Sequence, residues 1–227
     1  MVTDSHKHPF FRICCEKRGL FLMSVPNAML ALFRACLNRE YRNVENGGSF
    51  ATDRVGDALY IWFEHSHGVT DWLNNLNFVA VPYREMRPVW QCHAGFLKVW
   101  KSVKPYLERE ILDPTVKKLC IVGYSHGAAL AVLCHEYVWY HRPDLRDRLC
   151  GYAFGCPRVL YGCVPPEIAV RWGSFFNVRN GNDIVTHLPP RVSGFCHVGV
   201  PVPIGQDGNY SAVDAHRPDN YLTELEK

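Results

Sequence analysis

The stretch KLCIVGYSHGAALAVL, residues 118–133, decides how the rest of the chain is read. Its opening, Lys118 to Val122, is a short run rich in branched apolar side chains, which predicts a buried strand. From Ser125 the chain turns to small and aliphatic residues that run on to His141, just before Pro143, and this predicts a helix. Between the two lies Gly123-Tyr124-Ser125-His126-Gly127. A serine on such a strand-to-helix turn has its hydroxyl lifted clear of the sheet, and flanking glycines let the two arms of the chain pass closely. The helix that opens there aims its first backbone N–H groups at negative charge developing beside the serine. A serine at a helix start also serves as a plain cap. The strand before and the helix after favour Ser125 as a nucleophile.

Working outward, the same alternation repeats. Asn27 to Arg39 predicts a helix, Asn43 to Asp53 a turn region and Ala58 to Phe63 a buried strand. Gly95 to Leu112 predicts a helix, with Phe96, Val99, Val103, Leu107 and Ile111 spaced for one face. Gly151 to Phe154, Phe175 to Arg179 and Cys196 to Val202 predict further strands, and His216 to Leu225 a terminal helix. Strands alternating with helices predict an α/β domain with a mostly parallel central sheet flanked by helices. Its chemistry belongs at the carboxyl ends of the strands.

A serine needs a base, and the base needs an orienting acid. Asp183 follows the strand at Phe175–Arg179 and the polar turn Asn180-Gly181-Asn182. From position alone it serves equally well as the acid or as an ordinary turn residue bonding its own backbone. Three histidines follow it: His187, His197 and His216. His187 is too near Asp183 in the chain to reach across, and His197 sits in an apolar run that suits a packed histidine. His216 lies after a polar loop at a helix start, so it is the preferred base. A second oxyanion donor is expected after Ile61-Trp62-Phe63, where Ser66 offers an N–H and a hydroxyl; a solvated loop serine is the other reading.

Composition narrows the remaining possibilities. With 227 residues, 48% hydrophobic, the chain can bury one substantial core, and a single domain is expected with residues 1–26 as a peripheral segment. A net charge of +3 without clustered basic residues argues against a nucleic-acid partner. Ten cysteines contain no C-x-x-C pair, and several sit in apolar runs, as free thiols do. The N-terminal apolar run Leu20 to Met23 is too short for a signal peptide. Together these lead to the expectation of a reduced, cytoplasmic protein, with export lacking an obvious signal as the alternative. His65-x-His67 and Cys92-His93 have ligand chemistry but no further ligands to complete a metal site.

The blocks add up to a family likeness. Phe63-Glu64-His65-Ser66 with Asp71-Trp72, His93-Ala94-Gly95-Phe96-Leu97, Gly123 to Ala131, Phe154-Gly155-Cys156-Pro157-Arg158, Asn182-Asp183 to Pro190, and His216 to Leu222 occur in order. Through these blocks the chain resembles the class 3 lipases, the group that includes the fungal triacylglycerol lipases, and the resemblance covers roughly residues 27 to 225. The resemblance implies an α/β-hydrolase fold. It also implies a serine carboxylic-ester hydrolase acting on lipid esters, with Ser125, Asp183 and His216 as triad and Ser66 and the His126 N–H as oxyanion hole. No metal and no cofactor are implied. Glu64 and His65 depart from the family's arginine and glycine, which keeps two other readings open. One is a narrow-specificity phospholipase or acyltransferase, the other a catalytically weak lipid- or partner-binding protein. The partners expected are a lipid or ester substrate and, transiently, a membrane or lipid-droplet interface. Tyr83 to Gln91, with Arg84 and Arg87 among apolar residues, reads either as a flap at that interface or as a plain surface loop.

Overall fold

The computed structural model describes residues 25–64, 78–85, 90–162 and 166–227. After helix α1 (Val25–Leu37) come strands β1 (Arg42–Val44), β2 (Gly48–Val55) and β3 (Ala58–Phe63). Next are β4 (Ala80–Tyr83), β5 (Trp90–His93), helix α2 (Ala94–Ile111), β6 (Lys118–Tyr124), helix α3 (His126–His141) and β7 (Leu149–Phe154). The chain continues through β8 (Leu160–Tyr161), the one-turn α4 (Pro166–Ala169), β9 (Phe175–Asn180), β10 (Phe195–Cys196), β11 (Val200–Ile204) and helix α5 (Pro218–Leu225).

The main sheet has the order β1-β2-β3-β6-β7-β9-β11. Strands β3, β6, β7, β9 and β11 are parallel, and β1 and β2 add an antiparallel edge. This is the mostly parallel sheet that the alternating pattern predicts, in the α/β-hydrolase arrangement that the family resemblance implies. The apolar runs in β3, β6 and β7 are continuous because both faces are covered. Along β6, Leu119 and Ile121 enter one core with α2 and α3, while Cys120, Val122 and Tyr124 enter a second core with α1 and α5. In β3, Leu59, Ile61 and Phe63 alternate in the same way with Tyr60 and Trp62.

Helix α3 is buried on every side from His126 to Val138, so it shows no polar stripe. Two glycines allow it that close. A Cβ on Gly123 would lie 2.3 Å from the Gly127 carbonyl oxygen, and one on Gly127 would lie 2.4 Å from that of Phe63. Neither contact is tolerable, so the crossing of α3 over β6 and β3 requires glycine at both places.

Several boundaries differ from the sequence reading. Asn43 to Asp53 is a hairpin, β1 and β2, with Glu45–Gly47 as its turn. The strand expected over Cys196 to Val202 is two strands in two sheets: β10 pairs with β8, and β11 pairs with β9. The helix expected from His216 starts at Pro218, because a residue before proline is pushed out of helical conformation; Arg217 has ψ 140°. A four-stranded antiparallel sheet, β10-β8-β5-β4, had no counterpart in the reading. It takes in both ends of the Tyr83–Gln91 segment. Tyr83 pairs with Trp90, the Tyr83 hydroxyl donates to the Leu133 carbonyl at 3.0 Å, and Trp90 Nε1 donates to the Tyr161 carbonyl at 2.6 Å. The ends of this segment are therefore anchored structure, and residues 86–89 lie outside the described residues.

Candidate active site

Ser125 stands between β6 and α3 with φ 57° and ψ −123°. A positive φ is costly for a residue with a side chain. Here neighbouring structure fixes it: the Ser125 N–H donates to the Phe154 carbonyl at 2.9 Å, and the Ser125 carbonyl accepts from Ala128 N–H at 3.0 Å. The strained turn projects Oγ toward His216, whose Nε2 lies 2.8 Å away. On the other side of the imidazole, Nδ1 is 2.9 Å from Asp183 Oδ1 and 2.8 Å from Oδ2. Serine, histidine and aspartate are 1%, 4% and 0% exposed, so this line of polar groups is shielded from water. The structure thus brings together Ser125, Asp183 and His216 from three separated parts of the chain.

Each end of the line is held by further groups. The carboxylate of Asp183 accepts from the Val185 N–H at 2.9 Å and from the Tyr221 hydroxyl at 2.6 Å. Tyr221 in turn accepts from the Asn180 N–H at 3.2 Å, and Asn180 Nδ2 donates to the Ala215 carbonyl at 3.0 Å. With a carboxylate accepting on one side, the His216 Nδ1 carries the proton and Nε2 faces the serine as acceptor. The ring of Tyr124 stacks on His216 with centroids 5.1 Å apart, and its hydroxyl donates to the His216 carbonyl. Gly155 closes the floor: a Cβ there would come within 2.9 Å of His216 Cε1 and 3.0 Å of Asp183 Oδ2. Sequence reasoning gave no role to Tyr124, Tyr221, Asn180 or Gly155. Tyr221 lay inside the C-terminal histidine block, and Gly155 inside the block ending in Arg158, but only three-dimensional proximity reveals what they touch.

His126 is the first residue of α3, so its backbone N–H belongs to the helix start that faces the serine. Its imidazole is buried, and its pKa is pushed down to about 4, by desolvation first and by neighbouring His93 second. It is therefore neutral at ordinary pH. Ser66 and His65 lie outside the described residues.

The two passed-over histidines are placed as expected. His187 is exposed, with its carbonyl accepting from Arg158. His197 is held between Asn177 Nδ2 at 3.2 Å and the Thr186 carbonyl at 2.7 Å, and desolvation pushes its pKa down to about 4. His93 caps α2, its Nδ1 accepting from the Phe96 N–H at 3.4 Å. Among the described residues no cluster of three or more histidine, cysteine or acidic side chains is arranged to hold a metal ion.

The sequence model for Lipase (class 3) matches residues 60–193. The chain belongs to the class 3 lipase family. Within that family, a lipase from Rhizomucor miehei is 31% identical over 147 residues, covering 63% of this chain and 40% of that protein. Secreted mono- and diacylglycerol lipase 1 from Fusarium solani is 28% identical over 158 residues, covering 66% and 45%. The solved Rhizomucor miehei triacylglyceride lipase superposes with a TM-score of 0.61 at 26% identity, covering 73% of this chain and 66% of that one. A second solved structure, of a triacylglycerol lipase whose catalytic centre is a serine protease triad, gives 0.61 at 27% identity, covering 73% and 65%. The chain therefore spans under half the length of the Rhizomucor miehei and Fusarium solani relatives.

The expectation of a cytoplasmic protein is overturned here, since the relatives from Fusarium solani and Malassezia restricta are secreted lipases. The physical fault lies in the cysteine argument. Six of the seven described cysteines are buried. Burial pushes the thiols of Cys36 and Cys92 up to about 11 and 12, which suppresses the reactive thiolate in any compartment. Buried, inert thiols carry no information about redox surroundings.

Proposed function

We propose that this chain hydrolyses carboxylic esters of lipids, with acylglycerols as the substrate class and Ser125 as nucleophile. The observation that carries the reading is the pair of short contacts on His216: 2.8 Å from Nε2 to Ser125 Oγ and 2.8 Å from Nδ1 to Asp183 Oδ2. His216 Nε2 takes the hydroxyl proton as Oγ attacks the ester carbonyl. Asp183 holds the tautomer and stabilises the imidazolium that forms. The tetrahedral oxyanion sits against the His126 N–H, with Ser66 as the second donor. Collapse expels the alcohol, which takes the proton from His216, and leaves an acyl group on Ser125. Water then repeats the sequence, giving up a proton to His216 and releasing the acid.

Relatives named as mono- and diacylglycerol lipases support a partial acylglycerol as the narrower substrate, alongside the triacylglycerol reading. Their secretion supports an extracellular setting. The test is hydrolysis of chromogenic esters and of mono-, di- and triacylglycerols by wild type and Ser125→Ala. Turnover by wild type with near-complete loss in the variant supports the reading. Equal inactivity of both proteins on every ester, with circular dichroism intact, overturns it.

A further inference from the structure

Beside the triad lies a group of cations that the chemistry above does not use. Arg158 comes three residues after Gly155, whose backbone lies against His216 and Asp183. Its guanidinium donates to the His187 carbonyl and, at 2.8 Å, to that of Pro189, so it is tied to the loop that starts at Asp183. Arg191 follows that loop directly, in the short turn Arg191–Ser193. Arg179 lies near the carboxyl end of β9, two residues on from Asn177, which holds His197. Arg179 and Arg191 are both exposed, and Val192, at the tip of the turn, is 98% exposed.

None of these three arginines takes part in an ion pair with a carboxylate among the described residues. Elsewhere on the surface arginines do find carboxylates, as Arg142 does with Asp144 and Arg217 with Asp214. The geometry brings them to one loop: Arg158 bonds the carbonyls of His187 and Pro189, Arg191 comes two residues after Pro189, and Arg179 is two residues along β9 from Asn177, whose partner His197 contacts the Thr186 carbonyl of that loop at 2.7 Å. In keeping with this, the pKa of Arg158 lies below its ordinary value, by desolvation first and then by the charges of Arg191 and Arg179. Like charges held together without counter-charge destabilise the fold slightly and create a local field that attracts anions. Arg158 follows the carboxyl end of β7, Arg191 follows that of β9 and Arg179 lies next to the last residue of β9, so the field covers the edge of the sheet on which Ser125 stands and where an ester must arrive.

We propose that Arg158, Arg179, Arg191 and Val192 form a docking surface for an anionic lipid layer, seating the catalytic edge on membranes or droplets that carry acidic phospholipid. The arginines contribute attraction to the negative surface, and Val192 enters the layer between headgroups. An exposed valine alone is ordinary. An exposed valine at the tip of a turn that starts with one of three unpaired arginines is the combination that interfacial binding needs. The purpose assigned to this surface rests on the lipid-ester reading, but its binding does not depend on hydrolysis.

The experiment uses the full chain as Ser125→Ala, so that vesicles stay intact. Co-sedimentation is measured with vesicles of phosphatidylcholine alone and with about 30 mol% phosphatidylglycerol added. Wild-type surface residues should bind the mixed vesicles and largely ignore the neutral ones, and binding should fall when salt rises from about 0.1 to about 0.5 M. Arg179→Gln with Arg191→Gln should weaken binding to the mixed vesicles roughly 25-fold, at about fivefold per arginine. Arg158 is left in place because it braces the acid loop; thermal melting checks that the double variant is folded. Equal binding to neutral vesicles, or a folded double variant that binds as tightly as its parent, overturns the proposal. So does binding to soluble heparin with none to either vesicle. Hydrolysis of a soluble ester by wild type is scored separately, so failure of the docking surface and failure of the catalytic reading give different results.

Discussion

The nucleophile side of the site and its acid–base side are built on different principles. Ser125 sits in an uninterrupted segment, β6 to α3, where backbone hydrogen bonds and two glycines fix the turn. Asp183 and His216 lie on loops 33 residues apart and are joined by side chains: Tyr221 to Asp183, Asn180 to Ala215, Tyr124 to His216. The first is specified by what can pack, the second by what can hydrogen-bond. Ser125 itself aside, substitutions on the nucleophile side should therefore act through stability, and those on the other side through turnover.

Asp183→Asn gives the largest separation. The shape is kept, but the amide can present its N–H to Nδ1 and favour the wrong imidazole tautomer, so kcat should fall by about 10⁴. A loss of less than tenfold, in a protein that melts normally, would remove Asp183 from the mechanism. Gly127→Ala probes the opposite side. Its Cβ would meet the Phe63 carbonyl at 2.4 Å, so α3 must retreat from β3 at a cost of about 3 kcal/mol, read by urea unfolding. An unchanged unfolding midpoint would mean that the helix has room this packing denies it.

The helix carries a second sensitivity. His135 is fully buried between Trp172 and Trp139 with Phe175 edge-on, and neither ring nitrogen has a hydrogen-bond partner among the described residues. Desolvation pushes its pKa down to about 3, against an ordinary value of 6.5. Between these values the unfolded chain binds the extra proton and the folded chain does not, so stability is complete above pH 6.5 and is lost as pH falls toward 3. Between pH 7 and 5 the loss from this one group is about 2 kcal/mol. In His135→Leu the stability difference between those two pH values should shrink by that amount. An identical pH dependence in the variant would place the acid sensitivity elsewhere.

Tyr221→Phe makes the smallest change to activity. It removes one donor to the Asp183 carboxylate and leaves the ring in place. The expected result is a roughly tenfold lower kcat with KM unchanged, in line with about 1.5 kcal/mol for a hydrogen bond to a charged group. A rise in KM alone would assign Tyr221 to substrate binding instead.

The same contrast explains what was legible in the sequence. The strand, the elbow and the helix of residues 118–141 are local, so periodicity and glycine spacing expose them. Asp183 was an even choice by position and became specific only through family resemblance, because its neighbours come from distant segments. The second sheet escaped notice since its strands are two to four residues long and take their pairing from other parts of the chain. Cys196 to Val202 read as one strand because an apolar run does not reveal that the chain changes sheets within it. Arg158, Arg179 and Arg191 are dispersed in a sequence of net charge +3, yet the ends of β7 and β9 and the loop after Asp183 bring them to one edge.

The central claim is that Ser125 is activated by His216 and Asp183. Covalent labelling with a fluorophosphonate, read by peptide mass spectrometry on wild type and Asp183→Asn, tests it most directly. The account predicts a single adduct on Ser125, formed at least about a hundredfold more slowly in the variant. Absence of an adduct on Ser125 in folded wild type, or labelling of both proteins at one rate, would contradict it.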